Sequence, residues 1–523
     1  MKKIIDSAPP AQRDRLLSFG LAAAVLLVLF RSMATTVADP DLWGYLAFGR
    51  LFWHGDGFPY RDPFSYVPTL DPWVYHEWLT GVLFYPIYTR VGDQGLQVLK
   101  YLLGFATVAL IYCTARRRGA NPPATWFLLF AAQGFLALGY SPVRAQIFTY
   151  FFFALSLYLL ETARQTGRWG RLLVLVPVHV AWCNLHGGFL AGLGLLGLYA
   201  FGECVSRRRF LPYALVFLSS AAATLINPYG LRYWAYLAEA IPMEREITEW
   251  ASLAQAYRGG LMSGWGPLYV LIAAVFAALL AVQARWRDLT GGIVTACTFT
   301  LGVTHVRHLV FFLICLGVYM PALLTAYLDE ARSRPRVAAA WQRAGRRLAG
   351  VALAGLLAGS AFKLLGVHDP LRLELPACPK EDGKGGMYYP LGAMDYIEAY
   401  GLSGDLLIHF DWGEYALWRL YPRCRVAIDG RYETVYPQRT HKSYFDFLSK
   451  RRDWDRFLEE YPPDMILIKN RSAVQEALAG SEGWRQVFSD CGSALFVRKG
   501  DPGYNNGRFG PRRQETRPHG KGL

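Results

Sequence analysis

The sequence predicts a polytopic α-helical membrane protein of about 11 transmembrane helices, with a small C-terminal α/β domain outside the membrane. Three observations carry this. Of the 523 residues, 53% are hydrophobic and only 18% charged, too apolar a balance for an ordinary soluble enzyme of that length. The apolar residues fall in blocks of about 17–25, the length a helix needs to cross hydrocarbon. After residue 366 the character changes: charge rises, and short β-like runs alternate with helical ones.

The first block, 16–37, is longer than a signal-peptide core and lacks a small-residue cleavage site, so it reads as a retained helix. Residues 38–94 form a long loop rich in aromatics and proline. Within it, 42–53 has helical spacing, and "HEWLTGVLFYPIYTRVG" (76–92) is too short to cross comfortably; with Trp78 and its tyrosines it predicts a helix lying in the outer interface. Further spans are predicted at 95–115, 123–140, 146–162, 172–185, 188–205, 210–226, 265–283, 288–304, 308–328 and 347–366. The first domain is therefore 1–366. Residues 367–499 follow, with strands expected at 405–410, 425–430, 464–469, 484–489 and 493–499 and helices at 391–400 and 472–480. The Gly-, Pro- and Arg-rich tail 500–523 predicts disorder.

The net charge of +15 invites a nucleic-acid reading, but the location of the basic residues opposes it. They cluster between apolar blocks, as at Arg116 to Arg118, Arg164 and Arg168, and Arg207 to Arg209. That is the positive-inside signature of cytoplasmic loops. It sets the N-terminus in the cytoplasm and residues 367–523 outside, and predicts the inner (cytoplasmic) membrane as the location. The eight cysteines show no CxxC; Cys378, Cys424 and Cys491 share the C-terminal region, so at most one disulfide forms there.

With this parity, the remaining polar residues gather at outer helix ends: Asp39, Asp41, His76, Glu77, Arg144, Asn184, His186, Asn227, Glu249, His305, Arg307 and His308. Ionisable groups at membrane depth are costly and usually face a cavity or partner, so a single outer-facing pocket is expected. In "VADPDLWG", Pro40 holds Asp39 extended, and residues two apart in extended chain point the same way. Asp39 and Asp41 can then aim two carboxylates at one point, inviting a divalent cation (Mg or Mn), a cationic partner, or a proton held on one of them. The plainer alternative makes Asp41 an N-cap and Asp39 a solvated acid. His76-Glu77 could hold a metal or acceptor, or simply start a helix. In "NLHGGF" (184–189) the glycines allow close approach to a ligand, or only helix packing. Arg144, His305, Arg307 and His308 could hold a phosphate, or anchor the interface. No P-loop, GxGxxG in strand–helix context, HExxH or nucleophile elbow occurs.

One helix, an acidic motif in a long first outer loop, an interfacial helix and a many-helix body together resemble the GT-C class of membrane glycosyltransferases. The stretches "DPDLWGYLAFGR", "PYRDPFSY", "PWVYHEWLTGVLFY", "WCNLHGGFLAG", "INPYG" and "YALWRLYPRCRVAIDGRYETVY" resemble a bacterial GT-C-like group. The resemblance implies a GT-C-like fold. It also implies transfer of a sugar from a polyprenyl-phosphate carrier to an envelope acceptor (lipid, glycan or protein) outside the cytoplasm. Asp39 or Asp41 would be the base or help hold the metal, and basic groups at outer helix ends would hold the carrier phosphate. Asp429-Gly430-Arg431 resembles a motif of the group, although a strand-end turn is the plainer reading. Gly44 and Tyr45 depart from it, since bulkier aromatic and His-type residues are expected there. Two other readings compete: a lipid or polysaccharide transporter or flippase, which would want polar groups at helix centres and matching halves, and a non-catalytic scaffold displaying the outer domain.

Overall fold

The computed structural model describes residues 10–55, 57–243, 250–260, 265–282, 288–334, 369–380 and 386–499, with 355, 358 and 359. The span expected at 347–366, apart from those three positions, the tail 500–523 and Glu249 therefore lie outside the described residues. The chain divides into two compact units: Met1–Thr36 with Leu96–Arg372, and Val37–Gly95 with Leu373–Leu523.

The first unit is helical throughout. Its long apolar blocks fold as helices Pro10–Met33, Asp93–Arg117 (which begins in the second unit), Pro122–Tyr140, Gln146–Thr166, Leu175–Leu185, Phe189–Val205, Leu211–Ala223, Trp265–Val282, Leu289–Thr304 and Leu309–Ser333. Their ends follow local chemistry. Asn121 accepts the Ala124 N–H ahead of two prolines at the start of one helix. Gly167, in the left-handed region at φ 66°, stops another. Among the described residues, three helices are long and apolar enough to cross a membrane: Asp93–Arg117, Gln146–Thr166 and Val306–Ala331. Seven shorter apolar helices accompany them. Leu102, Leu218, Leu271 and Val282 point outward and are about three-fifths exposed or more, as a lipid-facing surface requires.

The buried charges near one end of this unit's helices form an ion-pair network. Arg118 and Arg164, expected as loop charges, instead reach Glu161 and Asp288, and Arg164 Nε lies 2.8 Å from Glu203. Tyr199 donates to Glu161 at 2.7 Å, and Thr290 donates to Glu203 at 2.7 Å. This network ties four helices or their ends together where bare charge would be very costly.

The second unit is an α/β module built from two distant pieces of chain. Five strands, β1 (Gly404–Ile408), β2 (Cys424–Val426), β3 (Met465–Lys469), β4 (Trp484–Ser489) and β5 (Ser493–Arg498), form one sheet in the order β2-β1-β3-β5-β4. The first three are parallel; β5 runs antiparallel to both β3 and β4. Helices Leu391–Ala399, Gly413–Leu420, Tyr432–Val435, Gln438–Leu448, Arg456–Glu460 and Ala473–Ala479 connect and flank the strands. The disulfide Cys378–Cys491 clips the entry segment to the β4–β5 turn, and Cys424 stays reduced and buried.

The first loop belongs to this module. Val426 donates to Phe64 O and accepts from Tyr66 N–H, so residues 64–66 cover the edge of β2, which would otherwise expose unpaired backbone. Helices Pro40–His54 and Trp78–Val91 meet glycine on glycine: a Cβ on Gly49 would lie 2.3 Å from Gly81 O. Pro86 sits inside the second helix without ending it. Helix Pro40–His54 also packs on Gly413–Leu420. There Arg50 donates to Leu417 O and Trp418 O at 3.0 Å, and Trp43 meets Tyr415 edge-on.

Candidate active site

The two first-loop acids take different backbone states. Asp39 is extended (φ −83°, ψ 142°), as its proline neighbour demands. It is also the N-cap, with Oδ1 accepting the Asp41 N–H at 3.1 Å. Pro40 opens the helix and Asp41 lies in its first turn, where a carboxylate gains from the N-terminal dipole. The cap is thus Asp39 and not Asp41. Because Asp41 is helical, the strand-like rule that would aim both side chains alike does not govern the pair.

A third carboxyl completes the acidic side. Glu414, in the first turn of helix Gly413–Leu420, is 4% exposed and accepts the Gly44 N–H at 3.1 Å. Gly44 lacks a side chain where Glu414 needs the space: a Cβ there would lie 2.4 Å from Glu414 Oε2. This is the position where the resemblance led to a bulky aromatic. Gly430 borders the same spot; a Cβ on it would be 2.8 Å from Glu414 Oε1 and 3.5 Å from Asp41 Oδ1. The two carboxyls therefore lie within about 6 Å of each other, close enough to feel each other's charge. Burial pushes the Glu414 carboxyl well above the usual range, and the charges of Asp41 and Asp429 push it further. Glu414 keeps its proton to higher pH than an ordinary glutamate and can donate it in a hydrogen bond.

Behind this group lies a buried ion triad. Arg431 donates from Nε and Nη2 to Asp429 at 2.9 and 2.6 Å and from Nη1 to Asp62 at 2.7 Å. Its guanidinium lies 4.9 Å from both the Phe64 and Trp73 rings, and Tyr436 donates to Asp429 at 2.9 Å. Burial alone would strip the Arg431 charge, but Asp429 and Asp62 outweigh it and hold the group charged. The Asp429-Gly430-Arg431 motif thus locks the first loop to the end of β2 and sets Gly430 beside Asp41. Tyr75, fully inside, has its hydroxyl pushed up by burial and by Glu414 and Glu77. His76 Nε2 and Glu77 Oε1 approach to 3.5 Å, both partly buried.

Arg144, Asn184, His186, Asn227, His305, Arg307 and His308 fall in the first unit. His305, Arg307 and His308 come together around Trp250: the guanidinium sits 4.5 Å from the indole and the imidazoles meet it edge-on. Arg144 precedes helix Gln146–Thr166, whose Tyr150 donates to Arg307 O at 3.4 Å. Asn184 donates to Ile226 O at 2.9 Å, and Asn227 caps its own turn through the Tyr229 N–H at 2.8 Å. These amides hold the 224–230 turn in place. His186 Nδ1 accepts the Gly188 N–H and lies 2.8 Å from Thr149 Oγ1, to which Trp182 donates.

Sequence reasoning missed Glu414, Asp62, Tyr75 and Trp250. The one signal for Glu414 was the glycine at position 44. The others depend on contacts between residues far apart in the chain.

No protein-family model matches the chain, and no curated protein is similar to it in sequence. Solved structures do share its fold. An oligosaccharyltransferase of Archaeoglobus fulgidus, tethered to an acceptor peptide containing an NVT sequon, superposes with a TM-score of 0.54 at 10% identity, over 92% of this chain and 74% of that one. The same enzyme in complex with Zn and sulfate gives 0.50 at 12% identity, over 92% and 73%. The chain thus shares the fold of that oligosaccharyltransferase, and its apolar helices mark a membrane protein.

Proposed function

We propose that this chain is a membrane glycosyltransferase of GT-C type that moves a sugar from a polyprenyl-phosphate carrier to an acceptor outside the cytoplasm. The observation that carries the reading is Asp41 at a helix N-terminus beside the buried Glu414 carboxyl, in a chain with this fold. The acceptor hydroxyl attacks the anomeric carbon and gives its proton to Asp41. The new C–O bond forms as the bond to the carrier phosphate breaks, and the carrier leaves as polyprenyl phosphate. Asp39, turned to its own helix, orients Asp41. From the sequence alone, Arg144, His305, Arg307 and His308 are assigned to the leaving phosphate, and Asn184, His186, Asn227 and Glu249 to the substrate. His76 and Glu77 are assigned to the acceptor.

Among the described residues, no group of three His, Cys, Asp or Glu could hold a metal by itself. Mg, however, is commonly held by one or two carboxylates with waters and substrate phosphate, and Asp41, with the second oxygen of Asp39, is assigned that part. Bound there, such an ion would supply positive charge to the substrate.

About 11 spans would carry the chain through the inner membrane, with the N-terminus cytoplasmic and the α/β module outside. The Cys378–Cys491 disulfide supports that side, since disulfides persist in oxidising compartments. Asp41→Asn, inserted in the membrane at wild-type level, should lose sugar transfer by about 100-fold or more, read as the loss of one sugar from envelope lipids and glycans by mass spectrometry. Full retained transfer would sink the reading.

A further inference from the structure

The α/β module has a feature that the proposed transfer does not use. Strand β1 is flanked by β2 on one side and β3 on the other, all parallel. The chain leaves β1 for β2, then crosses past β1 to reach β3. Right-handed crossovers send these two connections to opposite faces of the sheet. The gap between the carboxyl ends of β1 and β3 is therefore a topological switch point, the place where open parallel sheets bind ligands.

The residues at that point are polar and reachable. His409 follows β1 and its N–H still pairs with Leu467 O of β3. Lys469 ends β3 and donates to Asp411 Oδ2 at 2.7 Å, bridging the two strand ends. Both side chains of this pair are about one-third exposed. His409 Nδ1 accepts the Asp411 N–H at 3.3 Å, so the ring proton sits on Nε2, where it can be donated to a ligand. Tyr388 lies alongside, its ring 5.7 Å from the lysine ammonium. Three groups are thus preset across one gap: an acceptor, a cationic donor and an imidazole donor.

The chemistry selects the ligand class. Asp411 and Lys469 neutralise each other and His409 is uncharged, so an anion finds no spare positive charge in the cluster. A neutral polyol both donates and accepts at each hydroxyl and matches the alternation. The same loop runs on to Glu414 three residues later, beside Asp41.

We infer that the His409–Asp411–Lys469 cluster at the β1/β3 switch point is a sugar-binding subsite, which holds a saccharide end of the acceptor. The inference deepens the transferase reading and rests on it for the word acceptor; sugar binding itself does not.

The test uses the full chain in lipid nanodiscs and methyl glycosides of the common hexoses, pentoses and N-acetylhexosamines as probes. Saturation-transfer NMR finds binders and titration gives their affinity. At least one glycoside should bind saturably, and Asp411→Asn and Lys469→Met should each weaken it 10-fold or more. Thermal melting is read alongside. Should either variant unfold, Lys469→Arg, which keeps the charge, should weaken binding at least 3-fold. Asp41→Asn should leave binding within 2-fold while transfer is lost. Absence of saturation transfer to every glycoside, or cluster variants that bind as wild type, would overturn the subsite. If glycosides bind but Asp41→Asn keeps full transfer, the transferase reading fails and the sugar site stands.

Discussion

Gly44→Ala offers a test in which two effects of known sign oppose each other. Position 44 lies inside helix Pro40–His54, where replacing glycine by alanine ordinarily stabilises by about 1 kcal/mol. Here the new methyl would sit 2.4 Å from Glu414 Oε2 and 2.6 Å from its Cδ. Glu414 is buried and cannot simply swing into water. Overpacking of this kind costs about 1–3 kcal/mol. Pushing the carboxyl aside also loses the Gly44 N–H bond, worth about 1–1.5 kcal/mol. The clash should win, leaving a net loss of about 1–3 kcal/mol. For a module of this size that lowers the melting temperature by roughly 3–10 °C. Glu414→Ala should relieve the clash, so the double variant should be more stable than the two single losses predict, with a coupling of at least about 1 kcal/mol. Tryptophan-fluorescence melting of the four proteins in one detergent measures the cycle. Gly44→Ala melting at or above wild type, or losses that simply add, would refute the close fit of Glu414 against the first-loop helix.

Other expectations follow from the same module. Burial and Lys469 push His409 down to about 4 against the pull of Asp411. The unfolded chain would bind a proton near pH 6.5 that the folded chain refuses. Stability should therefore be full above pH 6.5 and fall toward pH 4, by at most about 3 kcal/mol. Melting against pH should show this slope, and His409→Gln should flatten it. Replacing both Cys378 and Cys491 by serine reopens a loop of sequence separation 113 and should cost about 2–4 kcal/mol, read by melting without reductant. Arg431→Met leaves Asp429 and Asp62 buried without their cation and should cost about 3–5 kcal/mol; an unchanged melting temperature would count against the triad as the lock on the first loop.

Much of the helical body was legible because its signal is local. Apolar runs bounded by prolines, glycines and charge clusters place the helices at 122–140, 146–166 and 189–205 to within a few residues. The five strands are legible for the same reason, as short apolar runs bounded by polar and turn residues. What local pattern does not carry is partnership. Helix Gly413–Leu420 and the helices of 432–460 read weakly because they are short and mixed in polarity. That residues 64–66 pair with β2 could not be read from either piece alone. The acidic motif was legible as chemistry but misread as geometry: Pro40 starts a helix there, so Asp39 became the cap and Asp41 an acid of the helix's first turn. Arg118 and Arg164 carried the charge expected of loops, yet they pair with Asp288 and Glu203 on two other segments.

The α/β module is assembled from chain ends that the ribosome makes far apart in time. Residues 37–95 emerge early, and their partner strands follow only after 96–372 have been made. Until then the rim later sealed by β2 has nothing to seal, and the helix bearing Asp41 lacks the Glu414 that fits over Gly44. The arrangement of the acid is a property of the finished chain and not of the loop. Any nascent or truncated form stopping short of the sheet would carry the acidic motif without the surroundings that tune it.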